Sequence, residues 1–170
     1  MISGKLKNII CSNRIKRHLR KEAFSSNRNS GKIGLIIDAE NFQSKRGLTD
    51  LYKLIGIKKE SFKIVFCGIP AEMADELNAD ILIPREVSIS GKFKAEAIRN
   101  FLQEDFSFLI CYFSEKNKIG SLLAAEANAN VKIGNSPDEY EIYDVEVQTK
   151  GIDVFQEEVL KYIEILKKNN

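Results

Sequence analysis

The sequence predicts a three-layer α/β/α sandwich with a Rossmann-like, mostly parallel sheet of about five or six strands. Residues 33–37 form an uninterrupted apolar run, which is typical of a strand buried on both faces of a parallel sheet. Further strand-like runs alternate with stretches of helical periodicity, as they do in βαβ units. The length of 170 residues suits one domain with a substantial core.

Five further runs predict the remaining strands. Each combines apolar, β-branched or aromatic residues with a turn residue close to its end. They cover residues 62–67, 80–84, 106–113, 131–134 and 142–149. Proline at position 84 stops the third strand, and residues 87–91 form a loop or a brief edge strand.

Helical periodicity begins after the first strand. Apolar residues from Leu48 to Ile55 follow the i, i+3, i+4, i+7 pattern, and Gly56 is placed to cap that helix at its C-terminal end. Further helices are predicted at residues 70–77, 92–104, 119–127 and 152–166. Pro70 suits the first turn of a helix, and Ser114 is expected to cap the helix that follows the fourth strand.

Charge is distributed unevenly along the chain. The first 32 residues hold nine Lys or Arg against one Glu, whereas the remainder holds 17 basic and 23 acidic residues. This asymmetry predicts a basic helical arm with a linker at residues 1–31 and a single Rossmann-like domain at residues 32–170. The apolar stripe expected on the arm helix consists of Ile2, Leu6, Ile9 and Ile10.

The basic arm has three alternative interpretations. Its cations suit sequence-independent contact with nucleic-acid phosphates, with RNA or the ribosome as the expected partner. The residues concerned are Lys5, Lys7, Arg14, Lys16, Arg17, Arg20 and Lys21. The second interpretation is peripheral contact with anionic lipid through the apolar stripe. The third is a helix that docks on the body of the protein.

Polar residues after two of the predicted strands are the candidates for a ligand or metal site. Ligands of open parallel sheets bind beyond the carboxyl ends of the strands, which is where these side chains are expected. They are Asp38, Glu40, Asn41, Ser114 and Glu115. The alternative interpretation is that they form turns, cap a helix or are simply solvated. Lys92 and Lys94, at the start of a predicted helix, also suit an anion.

Composition argues against several classes of protein. The sequence contains no run of about 18 apolar residues, so no membrane span is predicted. The N-terminus lacks the apolar core of a secretory signal. Three widely spaced cysteines and one histidine argue against a zinc site and fit a reducing cytoplasm. Because that histidine, His18, lies on the arm, no Ser-His-Asp or Cys-His set can be assembled within the body.

Several stretches together carry a resemblance that covers nearly the whole chain. They are GLIID at 34–38, FSFLICYF at 106–113 and VKIG at 131–134, with a basic N-terminal helix and an amphipathic C-terminal helix. In this order they resemble an uncharacterised family of short bacterial proteins seen mainly in the Bacteroidetes. The resemblance implies an α/β architecture and supplies no catalytic residues.

Two partial resemblances are shorter. The stretch IIDAENF at 36–42 is similar to the opening motif of NYN-type (PIN-like) ribonucleases, which implies that Asp38 and Asn41 help to hold Mg²⁺. The later acidic cluster of that family is not matched, since the corresponding turn is FSEKN at 113–117. Residues 106–134 resemble the N-terminal half of heptosyltransferase-type glycosyltransferases over one βαβ unit.

The sequence supports two hypotheses of function. In the first, the chain is a non-enzymatic cytoplasmic binding protein without a cofactor, and its basic arm contacts nucleic acid or the ribosome. In the second, it is a metal- or phosphate-ligand-binding α/β domain related to NYN/PIN-like ribonucleases, with Mg²⁺ at the strand ends and a degenerate acidic cluster.

Overall fold

A computed structural model of the chain describes residues 4–19, 30–40, 46–69 and 77–169. Within them lies one six-stranded sheet, and every strand pair in it is parallel. The strands are β1 (Ile33–Asp38), β2 (Phe62–Cys67), β3 (Asp80–Leu82), β4 (Asp105–Tyr112), β5 (Asn128–Asn135) and β6 (Val145–Val147). Their order across the sheet is β3-β2-β1-β4-β5-β6. This is the Rossmann order, in which the direction of winding reverses between β1 and β4.

Helices cover both faces of the sheet. They are α1 (Gly4–Leu19), α2 (Arg46–Thr49), α3 (Leu51–Ile55), α4 (Glu96–Gln103), α5 (Lys118–Glu126) and α6 (Ile152–Lys168). One face of the sheet buries Ile36 and Cys111 against α1, α4 and α5. The other buries Leu35 and Ile110 against α2, α3 and α6. The predicted three-layer α/β/α sandwich is therefore confirmed.

The last two strands differ from their predicted extent. β5 runs from Asn128 to Asn135 and is longer than predicted, whereas β6 keeps only Val145–Val147 of the predicted residues 142–149. The carboxylate of Asp138 accepts hydrogen bonds from the backbone N–H groups of Ile142, at 3.0 Å, and Tyr143, at 2.8 Å. These bonds hold the chain in a loop and compete with the strand ladder, which explains why β6 starts late.

Predictions for the helix ends were partly correct. Gly56 caps α3 in a left-handed conformation with φ 79°, and its N–H donates to the Tyr52 carbonyl at 3.0 Å, as predicted. The prediction for Ser114 was wrong, because α5 begins later and Asn117 caps it by accepting from the Gly120 N–H at 2.9 Å. Helix α4 begins at Glu96 rather than at residue 92, since Phe93 bridges to Val87. Of the helix predicted at 70–77, residues 70–76 lie outside the described residues.

The apolar stripe predicted on the N-terminal helix was wrong at Leu6 and Ile9, whereas Ile10 is half-buried. Cys11 and Ile15 are fully buried in the core that α1 shares with α5, whereas Leu6 is 47% exposed and Ile9 is 57% exposed. Ile2 lies outside the described residues. The buried positions are four residues apart and so lie on one face of the helix, rotated away from the predicted stripe.

Side-chain contacts fix α1 on the body. Arg14 forms an ion pair with Glu126 at the end of α5, and the Ser12 hydroxyl is hydrogen-bonded to the Tyr140 hydroxyl. Small buried residues of α5, including Gly120 and Ala124, suit close approach of a second helix. These contacts show that the basic helix docks on the body, and its contact with nucleic acid or with lipid stays a prediction. The domain boundary at residue 31 stays a prediction.

We expect Ile15→Ala to lower the free energy of unfolding by about 2–4 kcal/mol, because it leaves a cavity at a fully buried position. Urea denaturation monitored by circular dichroism measures this loss. Ile9→Ala is the matched control on the exposed side of the same helix, with an expected change within about 0.5 kcal/mol. Equally small losses in both variants would contradict the docking of α1.

Candidate functional site

Asp38 lies at the carboxyl end of β1, at the point where the sheet reverses its winding. One carboxylate oxygen, Oδ2, accepts a hydrogen bond from the Ser114 N–H at 2.8 Å, and the other, Oδ1, accepts from the Asn117 side-chain amide at 2.6 Å. Asp38 therefore spans the crevice between β1 and the loop after β4. This crevice is the expected ligand site of the fold, and here a protein carboxylate bridges it.

Two asparagines continue this polar network. Asn117 binds Asp38 through its amide nitrogen while its carbonyl oxygen caps α5. Asn135, at the end of β5, accepts from the Phe113 N–H at 3.0 Å and donates to the Phe113 carbonyl at 3.1 Å. The sequence analysis missed both residues. The signal for Asn117 was available, because Asn is a preferred N-cap residue directly before a run of helical periodicity.

The structure brings together only part of the predicted site. Ser114 meets Asp38 through its backbone N–H, while its exposed hydroxyl accepts from the Lys116 N–H at 3.3 Å. Glu40 is exposed, and Asn41 lies outside the described residues. Glu115 is exposed and lines a cavity of about 10 Å³ under the loop after β5, which has room for no more than one water molecule.

The described residues place no group of three or more His, Cys, Asp or Glu side chains where they would hold a metal ion. In the same part of the chain, every buried side-chain nitrogen or oxygen has a hydrogen-bond partner. The polar groups at the strand ends thus have a structural use, which is to fix the loops after β4 and β5. Mg²⁺ binding at this edge stays a prediction.

A second polar cluster is buried between β4, β5 and the loop that follows β5. Burial raises the pKa of Cys111 and raises that of Tyr143 well above its ordinary value, so both stay protonated. Lys132 is 5% exposed, and its Nζ donates to the Ala125 carbonyl at 3.1 Å. A Cβ atom on Gly134 would lie 2.2 Å from the Tyr143 ring, so glycine is required there. The protonated Cys111 thiol and Tyr143 hydroxyl therefore act in packing rather than as nucleophiles.

Three of the predicted nucleic-acid residues have described side chains, and these three differ in their contacts. Lys16 and Arg17 are exposed on the last turns of α1, whereas Arg14 is held by Glu126 and also donates through Nη1 to the Ser90 carbonyl at 3.3 Å. The side chains of Lys5 and Lys7, and all of Arg20 and Lys21, lie outside the described residues.

Arg14 connects α1 to a second basic segment, residues 84–99. This segment carries the exposed cations Arg85, Lys92, Lys94 and Arg99. With Lys16 and Arg17 they form what we call the basic surface. The sequence analysis noted the two lysines but missed the two arginines, because Glu86 and Glu96 dilute the charge of the segment. The proximity of this segment to α1 could not be predicted either, because the two are far apart in sequence and meet through the contact between Arg14 and Ser90.

A larger cleft, of about 620 Å³, lies at the opposite edge of the sheet. Ile33, Phe108 and Val131 line it from the amino-terminal parts of their strands, and Leu166 and Lys167 line it from the end of α6. No predicted site residue reaches it. Its lining comes from three strands and the end of α6, which are remote in sequence, so periodicity within each element does not predict it.

Comparison with known proteins gives a family but no function. The model of a family described as a family of unknown function (DUF6913) matches residues 7–166. Neither a curated protein nor a solved structure matches the chain. The predicted resemblance to an uncharacterised family is confirmed, while the Bacteroidetes origin and the two partial resemblances stay predictions. Among the described residues, no helix is long and apolar enough to cross a membrane.

We expect Asp38→Ala to lower the free energy of unfolding by about 1–3 kcal/mol, because the Ser114 N–H and the Asn117 amide both lose their acceptor. Urea denaturation measures the change, and Glu115→Ala is the control with an exposed carboxylate. An Asp38→Ala protein that is as stable as the parent, or more stable, would show that Asp38 is not a structural bridge. Such a result is typical of a residue kept for a ligand at a cost in stability.

Proposed function

Since the chain belongs to the DUF6913 family of unknown function, we propose from its own geometry that it is a non-enzymatic cytoplasmic binding protein that contacts RNA or the ribosome. The observation that supports this function is the basic surface, on which α1 and residues 84–99 expose six cations. Arg14 holds the two segments together through its contacts with Glu126 and Ser90. Two distant stretches of sequence that carry exposed cations are therefore neighbours in the fold.

Phosphate contact is the chemistry that such a surface supplies. Lys and Arg side chains that neutralise phosphates release condensed counterions, and this release favours binding at low salt. Exposed cations on a fixed scaffold lose little backbone entropy when they bind. Only Glu86 and Glu96 oppose them within residues 84–99, and the described sequence of α1 contains no acidic residue. The expected binding is electrostatic and independent of sequence.

The strand ends support a binding role rather than catalysis. Asp38, Asn117 and Asn135 are engaged in hydrogen bonds that fix the backbone. The only histidine of the chain, His18, lies on α1, away from the ends of the strands. General acid–base catalysis needs a titratable group within hydrogen-bond reach of the reacting atoms. The titratable group in this network is Asp38, and both of its carboxylate oxygens already accept hydrogen bonds from the protein.

We expect the full chain to bind RNA with an affinity that falls steeply with salt, and Lys16→Gln/Arg17→Gln to weaken binding about tenfold or more at about 0.1 M salt. Loss of two phosphate contacts also lowers the slope of log K against log salt by about two. Fluorescence anisotropy over a salt series measures both quantities.

The matched control is Lys150→Gln/Lys168→Gln, which removes the same charge from exposed positions remote from α1. Equal weakening by the two double variants would show that net charge alone attracts RNA and would contradict a defined basic surface. Binding of vesicles with anionic lipid but not of RNA would instead favour membrane contact, for which Leu6, Ile9 and Ile89 supply exposed apolar groups.

A second candidate function is binding of Mg²⁺ or a phosphate ligand at the carboxyl end of the sheet. The observation that favours it is the position of Asp38 at the switch point between β1 and β4. Glu40, Asn41, Ser114 and Glu115 follow the same strand ends. This is the arrangement expected of a degenerate relative of the NYN/PIN-like ribonucleases.

The two candidates differ in the effect of metal on stability. If the site takes a metal, millimolar Mg²⁺ or Mn²⁺ must raise the melting temperature, and if it takes a phosphate ligand, inorganic phosphate must do so, since a ligand at about 100 times its dissociation constant stabilises the native state by about 2.7 kcal/mol. That increase must disappear in Asp38→Asn. Under the first candidate, we expect the melting temperature to stay unchanged. Differential scanning fluorimetry with and without chelator measures the shift.

A further inference from the structure

The described residues of the basic surface include no exposed Phe, Tyr or Trp side chain on which a nucleic-acid base could stack. Residues 4–19 contain none of these three residue types, the imidazole of His18 is half-buried, and Phe93, the only such residue in residues 84–99, is 6% exposed. The nearby Tyr140 is already engaged, because Ser12 binds its hydroxyl and the Lys118 ammonium lies 5.0 Å from its ring centroid. Within the described part of the chain, the surface therefore offers cations without a stacking platform.

The cations are also held on a firm support. Cys11 and Ile15 are fully buried and anchor α1. The 84–99 segment is closed by the antiparallel bridge between Val87 and Phe93, and the Ser88 N–H donates to the Lys92 carbonyl at 2.8 Å.

The ends of this segment are tied to each other as well. The Lys94 ammonium donates to the Arg85 carbonyl at 3.3 Å, and Arg99 donates to the Lys94 carbonyl at 2.7 Å. The backbone that carries the exposed cations is therefore fixed, and the charged groups of Lys94 and Arg99 are held against it. A support of this kind suits phosphates that are themselves held at regular spacing.

We infer that the basic surface prefers double-stranded to single-stranded nucleic acid and reads no base sequence. This inference rests on the proposed function and specifies its ligand. Single-strand binding draws about 1–3 kcal/mol per base from stacking on aromatic side chains, which this surface does not supply. A duplex offers a denser row of phosphates, with a salt slope of about −0.9 per contact against about −0.7 for a single strand.

The test is anisotropy of the full chain with labelled duplexes of about two helical turns and with each of their single strands, in RNA and in DNA. At about 0.1 M salt we expect binding to the duplexes to be about tenfold tighter than to the single strands. Duplexes of scrambled sequence should bind within about twofold of each other, because phosphate contacts carry no sequence information. The RNA and DNA arms show which duplex geometry the surface fits better.

The outcomes separate the inference from the proposed function. Equal or tighter binding to single strands, lost in Lys16→Gln/Arg17→Gln, overturns the preference for duplexes and leaves the nucleic-acid function standing. Absence of binding to every probe overturns both. A difference of more than about tenfold between scrambled duplexes overturns the absence of sequence reading.

Two further variants and one control test whether phosphate contacts and the lack of stacking cause the preference for duplexes. Lys92→Gln/Lys94→Gln should weaken duplex binding and lower its salt slope by about two, whereas Lys150→Gln/Lys168→Gln should change neither. Gln103→Tyr places an aromatic ring at an exposed position of α4, one turn after Arg99 and on the same face of the helix. It should tighten single-strand binding several-fold and leave duplex binding unchanged. If this variant binds single strands no more tightly than the parent, the lack of stacking does not explain the preference for duplexes.

Discussion

The hydrogen bonds of Asp38 join the two halves of the sheet at the point where their winding reverses. Within the described residues, β1 is the strand that pairs with both β2 and β4, and its last residue also fixes the loop that leads into α5. The position of α5 then determines where α1 can dock, because Arg14 pairs with Glu126 at the end of α5. Hydrogen bonds to a carboxylate that fixes two donors are costly to break, since each donor would lose its acceptor.

The same network explains why a Rossmann-like arrangement does not by itself identify a cofactor. Folds of this class place ligands beyond the carboxyl ends of the strands, but the residues there decide the chemistry. Here Asn117 and Asn135 use amide groups to bind backbone, and these groups neither titrate nor act as nucleophiles. The feature that supports nucleic-acid binding is instead the charge carried by α1 and residues 84–99, which meet through Arg14 and Ser90.

How much of this was predictable depends on whether local or tertiary forces determine each feature. β1 and β2 and the cap at Gly56 were predicted closely, because a buried apolar run and a left-handed glycine are visible in a few neighbouring residues. The face of α1 was not, since Leu6 and Ile9 are as apolar as Ile15, and only contact with α5 selects Cys11 and Ile15 for burial. The basic surface was predicted only in part, because a tertiary contact of Arg14 brings together segments that are remote in sequence.

The docking of α1 on α5 has a consequence for the order in which the chain is made. Roughly 100 residues separate the two helices, so at a synthesis rate of about 5–20 residues per second α1 leaves the ribosome roughly 5–20 s before its packing partner. Throughout that interval Cys11 and Ile15 have no core to enter. Completion of α5 therefore withdraws the buried face of α1 from solvent and leaves its cations outside.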